Sequence, residues 1–214
     1  MNFKTTKCYL ALMIMTLGLI SHVVFAQGIL GEWSNVQTPA PPALEDITIE
    51  PNHTALLVLD VTTHTCNMEV RPRCVAMLPK VKQLITKARA KGLFTVYALG
   101  LLPTPGMPSD IWPEAAMLGG EPYVRSGPDK FLNTDLEKIL KDQGIQTVIV
   151  TGTASHGAVL YTVGGSVFRG LKVIVPVDAV SAESTYAEQY TLWHFKNAPR
   201  MAANVKLTSV DQLH

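Results

Sequence analysis

The fold is decided by one stretch of the chain, Thr147-Val148-Ile149-Val150-Thr151-Gly152-Thr153-Ala154-Ser155-His156-Gly157-Ala158. Residues 147–150 form a short, mostly apolar and β-branched run, which is typical of a strand buried on both faces. Residues 152–157 contain no bulky side chain except His156, and the pattern then predicts a helix over 157–168. Because ligands bind beyond the carboxyl ends of strands in open α/β sheets, we expect this turn to face a ligand.

The rest of the chain repeats this alternation of strand and helix. Further strands are predicted at 54–60, 93–99, 121–124, 171–177 and 204–208, and further helices at 74–91, 131–144 and 184–197. The alternation predicts a three-layer α/β fold of Rossmann type, with a six-stranded, mostly parallel sheet and helices on both faces. A long loop at 100–120 holds four prolines and is predicted to form a wall of the site.

Composition limits the class of protein. The 214 residues are 47% hydrophobic and 16% charged, which fits one globular domain. The formal net charge is +1 with no basic run, so nucleic-acid binding has no electrostatic support. Gly152 and Gly157 are not followed by the Lys-Ser or Lys-Thr of a phosphate-binding loop, and the histidines match no metal-binding spacing. We therefore expect neither a metal nor another cofactor.

The first 26 residues have the pattern of a secretory signal peptide. Lys4 and Lys7 precede an apolar run over 9–20, and small residues stand at the −3 and −1 positions of a cleavage site after Ala26. We expect a secreted or periplasmic protein with no membrane segment after cleavage. Residues 27–50 then form a Pro-rich arm, and residues 51–214 form the folded domain.

Removal of the signal peptide would leave two cysteines, and export would expose them to an oxidising compartment. Cys66 and Cys74 stand eight positions apart, and an even pair in an oxidising compartment favours a bond between them. The alternative is a reduced pair with the Cys66 thiol near the site.

The quoted turn resembles that of the isochorismatase-like hydrolases, also called the cysteine hydrolase family. The resemblance covers about residues 50–210 and implies a parallel sheet of six strands with three catalytic positions: an aspartate, a lysine and a cysteine. Asp60 ends the first strand and matches the aspartate, although Val61 and Thr62 follow where the family often has a hydrophobe and a glutamine. Ala158 stands at the cysteine position.

Two residues of this sequence compete for the lysine position. Residues 131–136 match the family's Phe-x-x-Thr-x-Leu signature, and the lysine lies a few residues before it. Counting back favours Arg125, and Lys130 is the competing candidate. An arginine would be a fixed cation that cannot shuttle a proton.

Alanine at position 158 removes the nucleophile of covalent amide hydrolysis. Family members without the cysteine, the isochorismatases proper, are implied to protonate a vinyl ether from the aspartate and add water. The resemblance thus favours non-covalent hydrolysis of a small molecule led by Asp60. The turn residues Ala154, Ser155, His156 and Gly157 are predicted to hold an oxyanion or carboxylate through their backbone amides.

Two other interpretations stay open. An amidase-type hydrolase could use a relocated nucleophile, either a Ser155–His156 pair or Cys66. A catalytically silent protein could keep the pocket and bind the small molecule without turnover. The Pro-rich arm would also suit a contact between copies, so a homo-oligomer is a further expectation.

Overall fold

The computed structural model describes residues 28–101 and 105–214. The predicted signal peptide and the first residue of the arm lie outside these residues. The chain divides into two compact units at residue 38. In the described part of the first unit, a short helix α1 (Gly28–Glu32) and a 3-10 turn (Trp33–Asn35) bury no side chain.

The second unit is built on one parallel sheet. Its strands are β1 (Thr54–Leu59), β2 (Phe94–Leu99), β3 (Tyr123–Arg125), β4 (Thr147–Thr153), β5 (Lys172–Pro176), β6 (Val180–Ser181) and β7 (Val205–Thr208). Six of them follow the order β3-β2-β1-β4-β5-β7, and the two-residue β6 pairs with the end of β4. All of these pairings are parallel, so the predicted sheet is confirmed, with β6 as an addition.

Helices cover both faces of the sheet. They are α2 (Pro72–Ala90), α3 (Leu136–Asp142), α4 (Leu160–Phe168) and α5 (Thr185–Asn197), with 3-10 turns at Pro51–His53, Pro108–Asp110, Pro113–Ala115 and Val177–Ala179. Apolar residues of α2 pack with one set of strand side chains, and those of α3, α4 and α5 pack with the other set. Strand residues therefore face two cores, which explains why β1 and β4 have near-continuous apolar runs. The predicted three-layer architecture is confirmed.

Two helix boundaries differ from the sequence-based prediction. The helix predicted from residue 131 begins only at Leu136, because the Thr134 hydroxyl donates to Lys130 O (2.6 Å) and accepts from Leu136 N (3.3 Å). The helix predicted from Gly157 begins with a kinked turn at Ser155–Val159, in which Gly157 has non-helical angles (φ −117°, ψ −106°), and continues into α4. Both differences fall next to the site.

The end of the arm belongs to the folded domain. Ile47 N donates to Gln212 O (3.0 Å), Ile49 N donates to His214 O (2.8 Å), and both isoleucine side chains are buried. These contacts join the end of the arm to the C-terminal end of the chain, within the second compact unit. Within the described ranges, no helix combines the length and hydropathy that a membrane span requires.

Candidate active site

Asp60 stands at the carboxyl end of β1, in the middle of the sheet. Its φ is 54°, a left-handed conformation that is uncommon for residues other than glycine. Two contacts hold it there: Asp60 N donates to Ala98 O (2.9 Å), and the Thr65 hydroxyl donates to Asp60 O. The residue is 8% exposed, so its carboxylate is largely removed from water.

Gly152 allows β4 to approach β1 closely at this edge. It lies opposite Leu59 in the register and has a φ of 126°. A Cβ atom built there would lie 1.9 Å from Leu59 O, which no side chain could accommodate. Glycine is therefore required for the turn of residues 153–158 to lie beside Asp60.

Lys130 is the cation that pairs with Asp60. Its Nζ lies 2.7 Å from Oδ2 and 2.9 Å from Oδ1 of the carboxylate, and the lysine is 1% exposed. A third contact, of 3.4 Å, joins Nζ to Ser126 O. Both charges are thus buried and hydrogen-bonded to each other.

Arg125, which counting had favoured for this role, lies elsewhere. Its Nε donates to Gly106 O (2.7 Å), and its guanidinium lies over the Tyr123 ring at 5.0 Å. The chain turns back after β3 in an irregular segment, so the next cation along, Lys130, is directed at Asp60. The structure therefore places Lys130, and not Arg125, beside the carboxylate.

Small residues of α4 hold the Lys130 segment in position. The Thr162 hydroxyl accepts from Lys130 N (3.3 Å) and donates to Pro128 O (3.3 Å). At Gly165, an added Cβ would lie 2.9 Å from Asp129 Oδ1 and 3.0 Å from the Phe131 ring. The helix can approach this segment only because glycine occupies that position.

Burial decides the direction of the pKa shift at Asp60. Removal from water raises the pKa of the carboxyl group above its ordinary value of 3.8. Lys130, Arg71 and the backbone amide of Gly100 oppose this shift without cancelling it. Asp60 can therefore carry a proton at a higher pH than an exposed aspartate can.

The turn after β4 differs from the sequence-based prediction in two ways. Ser155 is fully buried and its hydroxyl contacts the Thr191 hydroxyl of α5 (3.4 Å), so it does not face Asp60. His156 Nε2 instead lies 3.3 Å from Glu183 Oε1, so the structure does not bring Ser155 and His156 together as a catalytic pair. Gly157 N donates to Ala154 O (2.9 Å) and is thus already engaged, contrary to its predicted role as an oxyanion donor.

The loop after Asp60 is closed by a disulfide between Cys66 and Cys74. The predicted bond is confirmed, and the alternative of a free Cys66 thiol near the site is wrong. Trp112 of the 100–120 loop donates from Nε1 to Cys66 O (2.6 Å), and Thr62 forms a β-bridge with Ile111. The two loops thus form one wall.

These elements enclose a cavity of about 520 Å³. Of the predicted site residues, Asp60, Lys130, Ala154, His156, Gly157 and Ala158 line it, and Arg125 and Ser155 do not. Ala158 is 6% exposed, and it occupies the position where the resemblance expects a cysteine. The other lining residues are Thr65, Arg71, Gly100, Leu101, Ser126, Gly127, Pro128 and Thr153.

Two charged residues near the cavity were not predicted from the sequence. Arg71 lies between the two cysteines and immediately before α2, where its Nη1 donates to Thr65 O (2.9 Å). Glu183 lies 3.8 Å from Arg71 Nε and 3.3 Å from His156 Nε2. The position of Arg71 in a stapled loop directly after Asp60 was a usable signal, whereas Glu183 is brought close only by the fold.

Histidines do not assemble a metal site in the described ranges. His64 Nε2 lies 3.5 Å from Asp110 Oδ2, and His156 Nε2 lies 3.3 Å from Glu183 Oε1. No group of three or more His, Cys, Asp or Glu side chains in residues 28–101 and 105–214 has metal-binding geometry.

Comparison with known proteins identifies related families and structures. The Isochorismatase domain family matches residues 54–212, more than half of the chain. N-carbamoylsarcosine amidase from Arthrobacter is 26% identical over 151 residues, which cover 59% of this chain and 57% of the amidase. The chain thus spans little more than half the length of this curated relative.

Solved structures agree on the architecture. N-carbamoylsarcosine amidase from Thermoplasma acidophilum superposes with a TM-score of 0.64 at 21% identity, covering 74% of this chain and 96% of that one. A cysteine hydrolase from Pseudomonas syringae pv. phaseolicola gives a TM-score of 0.68 at 19% identity, with coverages of 81% and 96%. With the domain match over residues 54–212, these similarities show that the chain belongs to the isochorismatase-like hydrolase family.

Proposed function

We propose that this chain is an exported hydrolase of a small molecule, in which Asp60 leads non-covalent acid/base chemistry. The observation that carries the proposal is the buried Asp60–Lys130 pair in a cavity whose lining has alanine at position 158. The pair supplies a proton donor and a cation, and the alanine supplies no nucleophile.

The hydroxyl groups of the cavity lining have other roles. Thr65 donates to Asp60 O, Thr153 donates to Ser181 O (3.1 Å), and Ser126 Oγ lies 2.8 Å from both Asp129 O and Leu132 O, to one of which it donates its proton. Both cysteines of the described chain are in the disulfide. Covalent catalysis therefore has no activated serine, threonine or cysteine among the described lining residues.

The proposed reaction begins with the protonated form of Asp60, which burial favours. For an enol ether, the C=C electron pair takes the Asp60 proton and forms a C–H bond, which leaves an oxocarbenium carbon. Water adds to that carbon and returns a proton to Asp60, and the resulting hemiketal splits into a ketone and an alcohol. Lys130 stabilises the carboxylate while it is ionised.

Export is supported by two independent features. The N-terminal segment has the charge and hydropathy pattern of a signal peptide, and the Cys66–Cys74 disulfide is the kind of bond that persists in oxidising compartments.

The relatives' names favour a second candidate, hydrolysis of a C–N bond. Two of the similar proteins are N-carbamoylsarcosine amidases, and such chemistry in a cysteine hydrolase would need a nucleophile. In this chain the nucleophile would have to be a water molecule activated by Asp60.

Turnover of a substrate panel tests the proposal. The mature protein is incubated with enol-pyruvyl ethers, N-carbamoyl amino acids and primary amides, and mass spectrometry follows the addition of water. We expect Asp60→Asn to abolish turnover, whereas Asp142→Asn, a change on the exposed face of α3, retains it. Iodoacetamide should leave the wild-type protein active.

Three results would overturn the proposal. Full turnover by Asp60→Asn would remove Asp60 from the chemistry, and inactivation by iodoacetamide would restore a thiol mechanism. Panel members that raise the melting temperature without yielding product would indicate a binding protein.

A further inference from the structure

Arg71 has hydrogen-bonding capacity that the protein leaves unused. Its Nη1 donates to Thr65 O (2.9 Å), but its Nε is buried and has no hydrogen-bond partner within the described chain. The nearest carboxylate atom, Glu183 Oε2, lies 3.8 Å from Nε, which is beyond hydrogen-bond distance. A buried donor without a partner is costly, so such an atom in a cavity wall marks a place for a ligand.

The two cations of the cavity lining have different partners. The acidic member of the lining among the described residues is Asp60, and Lys130 neutralises that carboxylate at 2.7 Å. Arg71 faces its own carboxylate, Glu183 Oε2, at the longer distance of 3.8 Å, and Glu183 is not part of the lining. The carboxylate of a ligand would make the short contact with Arg71 Nε that the protein leaves unmade.

Arg71 lies close enough to the reacting pair to act on the same molecule. Arg71, Asp60 and Lys130 all line the 520 Å³ cavity, and the positive charge of Arg71 opposes the burial-induced rise in the pKa of Asp60. A small molecule with its anionic group at Arg71 would therefore extend over the Asp60–Lys130 pair.

The position of Arg71 is fixed by its surroundings. Arg71 N donates to Asn67 O (2.9 Å), and the Cys66–Cys74 disulfide closes the loop around the residue. Directly after it, Pro72 begins the long helix α2. A guanidinium held in this way loses little further conformational freedom when it binds a ligand.

We infer that Arg71 binds a carboxylate of the substrate, so that this cavity selects small carboxylic acids over their neutral analogues. The planar guanidinium offers parallel N–H donors that match the two oxygens of a carboxylate. The inference rests on the proposed function in treating the cavity as the substrate site, but it concerns binding and not the chemical step.

Isothermal titration calorimetry with matched probes tests the inference. Benzoate and succinate are compared with benzamide and succinamide on the mature protein and on Arg71→Gln. Arg73→Gln is the matched control, because it removes the same charge two positions along the chain, in the first turn of α2, but Arg73 pairs with Glu188 outside the cavity. We expect at least one acid to bind at least ~tenfold more tightly than its amide, and Arg71→Gln alone to abolish that preference.

The same titration on Asp60→Asn separates this inference from the proposed function. Retained carboxylate preference without turnover supports the Arg71 site whatever the chemistry proves to be. Equal binding of acids and amides by the wild-type protein would overturn the inference, as would an unchanged preference in Arg71→Gln. If Arg71→Gln does not fold, Arg71→Lys is used, and full affinity there would overturn the requirement for a guanidinium.

Discussion

Lys130 Nζ lies 2.7 Å from one carboxylate oxygen of Asp60 and 2.9 Å from the other, across 70 positions of sequence. The lysine is among the most fully buried large side chains of the described chain, at 1% exposure. A charge in that position is tolerated only when its partner is present, because neither group can recover its hydration. The pair therefore couples the stability of the fold to the chemistry of the site.

Removal of one partner should be far more costly than removal of both. We expect Lys130→Met to lower the free energy of unfolding by about 3–5 kcal/mol, because it strands the Asp60 charge. The double variant Asp60→Asn/Lys130→Met should recover part of that loss. Urea denaturation measures the free energies of unfolding of the single and double variants. Lys138→Met, which removes one member of an exposed pair with Asp142, is the control, and we expect little change in its stability. Equal losses in the single and double variants would contradict the coupling.

Burial of Asp60 should also appear in the pH dependence of stability. The folded chain holds the Asp60 proton more tightly than the unfolded chain, because its folded pKa is raised above 3.8. The unfolded state therefore binds fewer protons, and the contribution of Asp60 to stability is lost as the pH rises from 3.8 through the raised pKa. Relative to Asp60→Asn, the wild-type free energy of unfolding should fall across that window. A difference that rises with pH would show a lowered pKa instead.

The features that local pattern determines were predicted from the sequence. Asp60 at the end of β1 and the small-residue turn after β4 follow from apolar runs that end at polar or glycine residues. Since parallel strands end at one edge of the sheet, their proximity followed from fold class alone. The disulfide followed from an even pair of cysteines in a chain with the pattern of an export signal.

The features that tertiary packing determines could not be predicted from the sequence. Residues 126–135 are irregular, so counting along them could not say whether Arg125 or Lys130 reaches Asp60. The Ser155 hydroxyl contacts Thr191 of α5 at the start of a turn that is kinked at Gly157, and helical periodicity cannot predict that kink. Glu183 meets Arg71 only because the loop after β6 lies over the loop after β1.

Adjacent glycines of α4 provide a matched pair of substitutions. Gly165→Ala should destabilise the fold by about 1–3 kcal/mol and reduce turnover, because its methyl group would press on Asp129 and Phe131, the neighbours of Lys130. Gly164→Ala meets its nearest atom, Met201 Cε, at an ordinary 3.6 Å. The free energy of unfolding of Gly164→Ala should rise by about 0.5–1 kcal/mol, because alanine has a higher helix propensity than glycine. Thermal unfolding and turnover of the two variants measure this contrast, and identical behaviour would show that α4 does not position Lys130.

A cysteine placed at position 158 should behave as a cavity thiol. Ala158 lines the cavity, so a thiol at this position would be reached by a small reagent that enters the cavity. We expect Ala158→Cys to gain one carbamidomethyl group from iodoacetamide under native conditions. The wild-type protein should gain none, because Cys66 and Cys74 are bonded to each other. Intact mass spectrometry measures the adduct.

The control places the same thiol in the core. Ala182 is fully buried and does not line the cavity, so Ala182→Cys should react at least ~tenfold more slowly than Ala158→Cys and should become equally reactive only after denaturation. Comparable native rates would mean that residue 158 is not accessible from the cavity. In that case a side chain at position 158 could not reach a substrate held over Asp60, and the absence of a thiol there would say nothing about the mechanism.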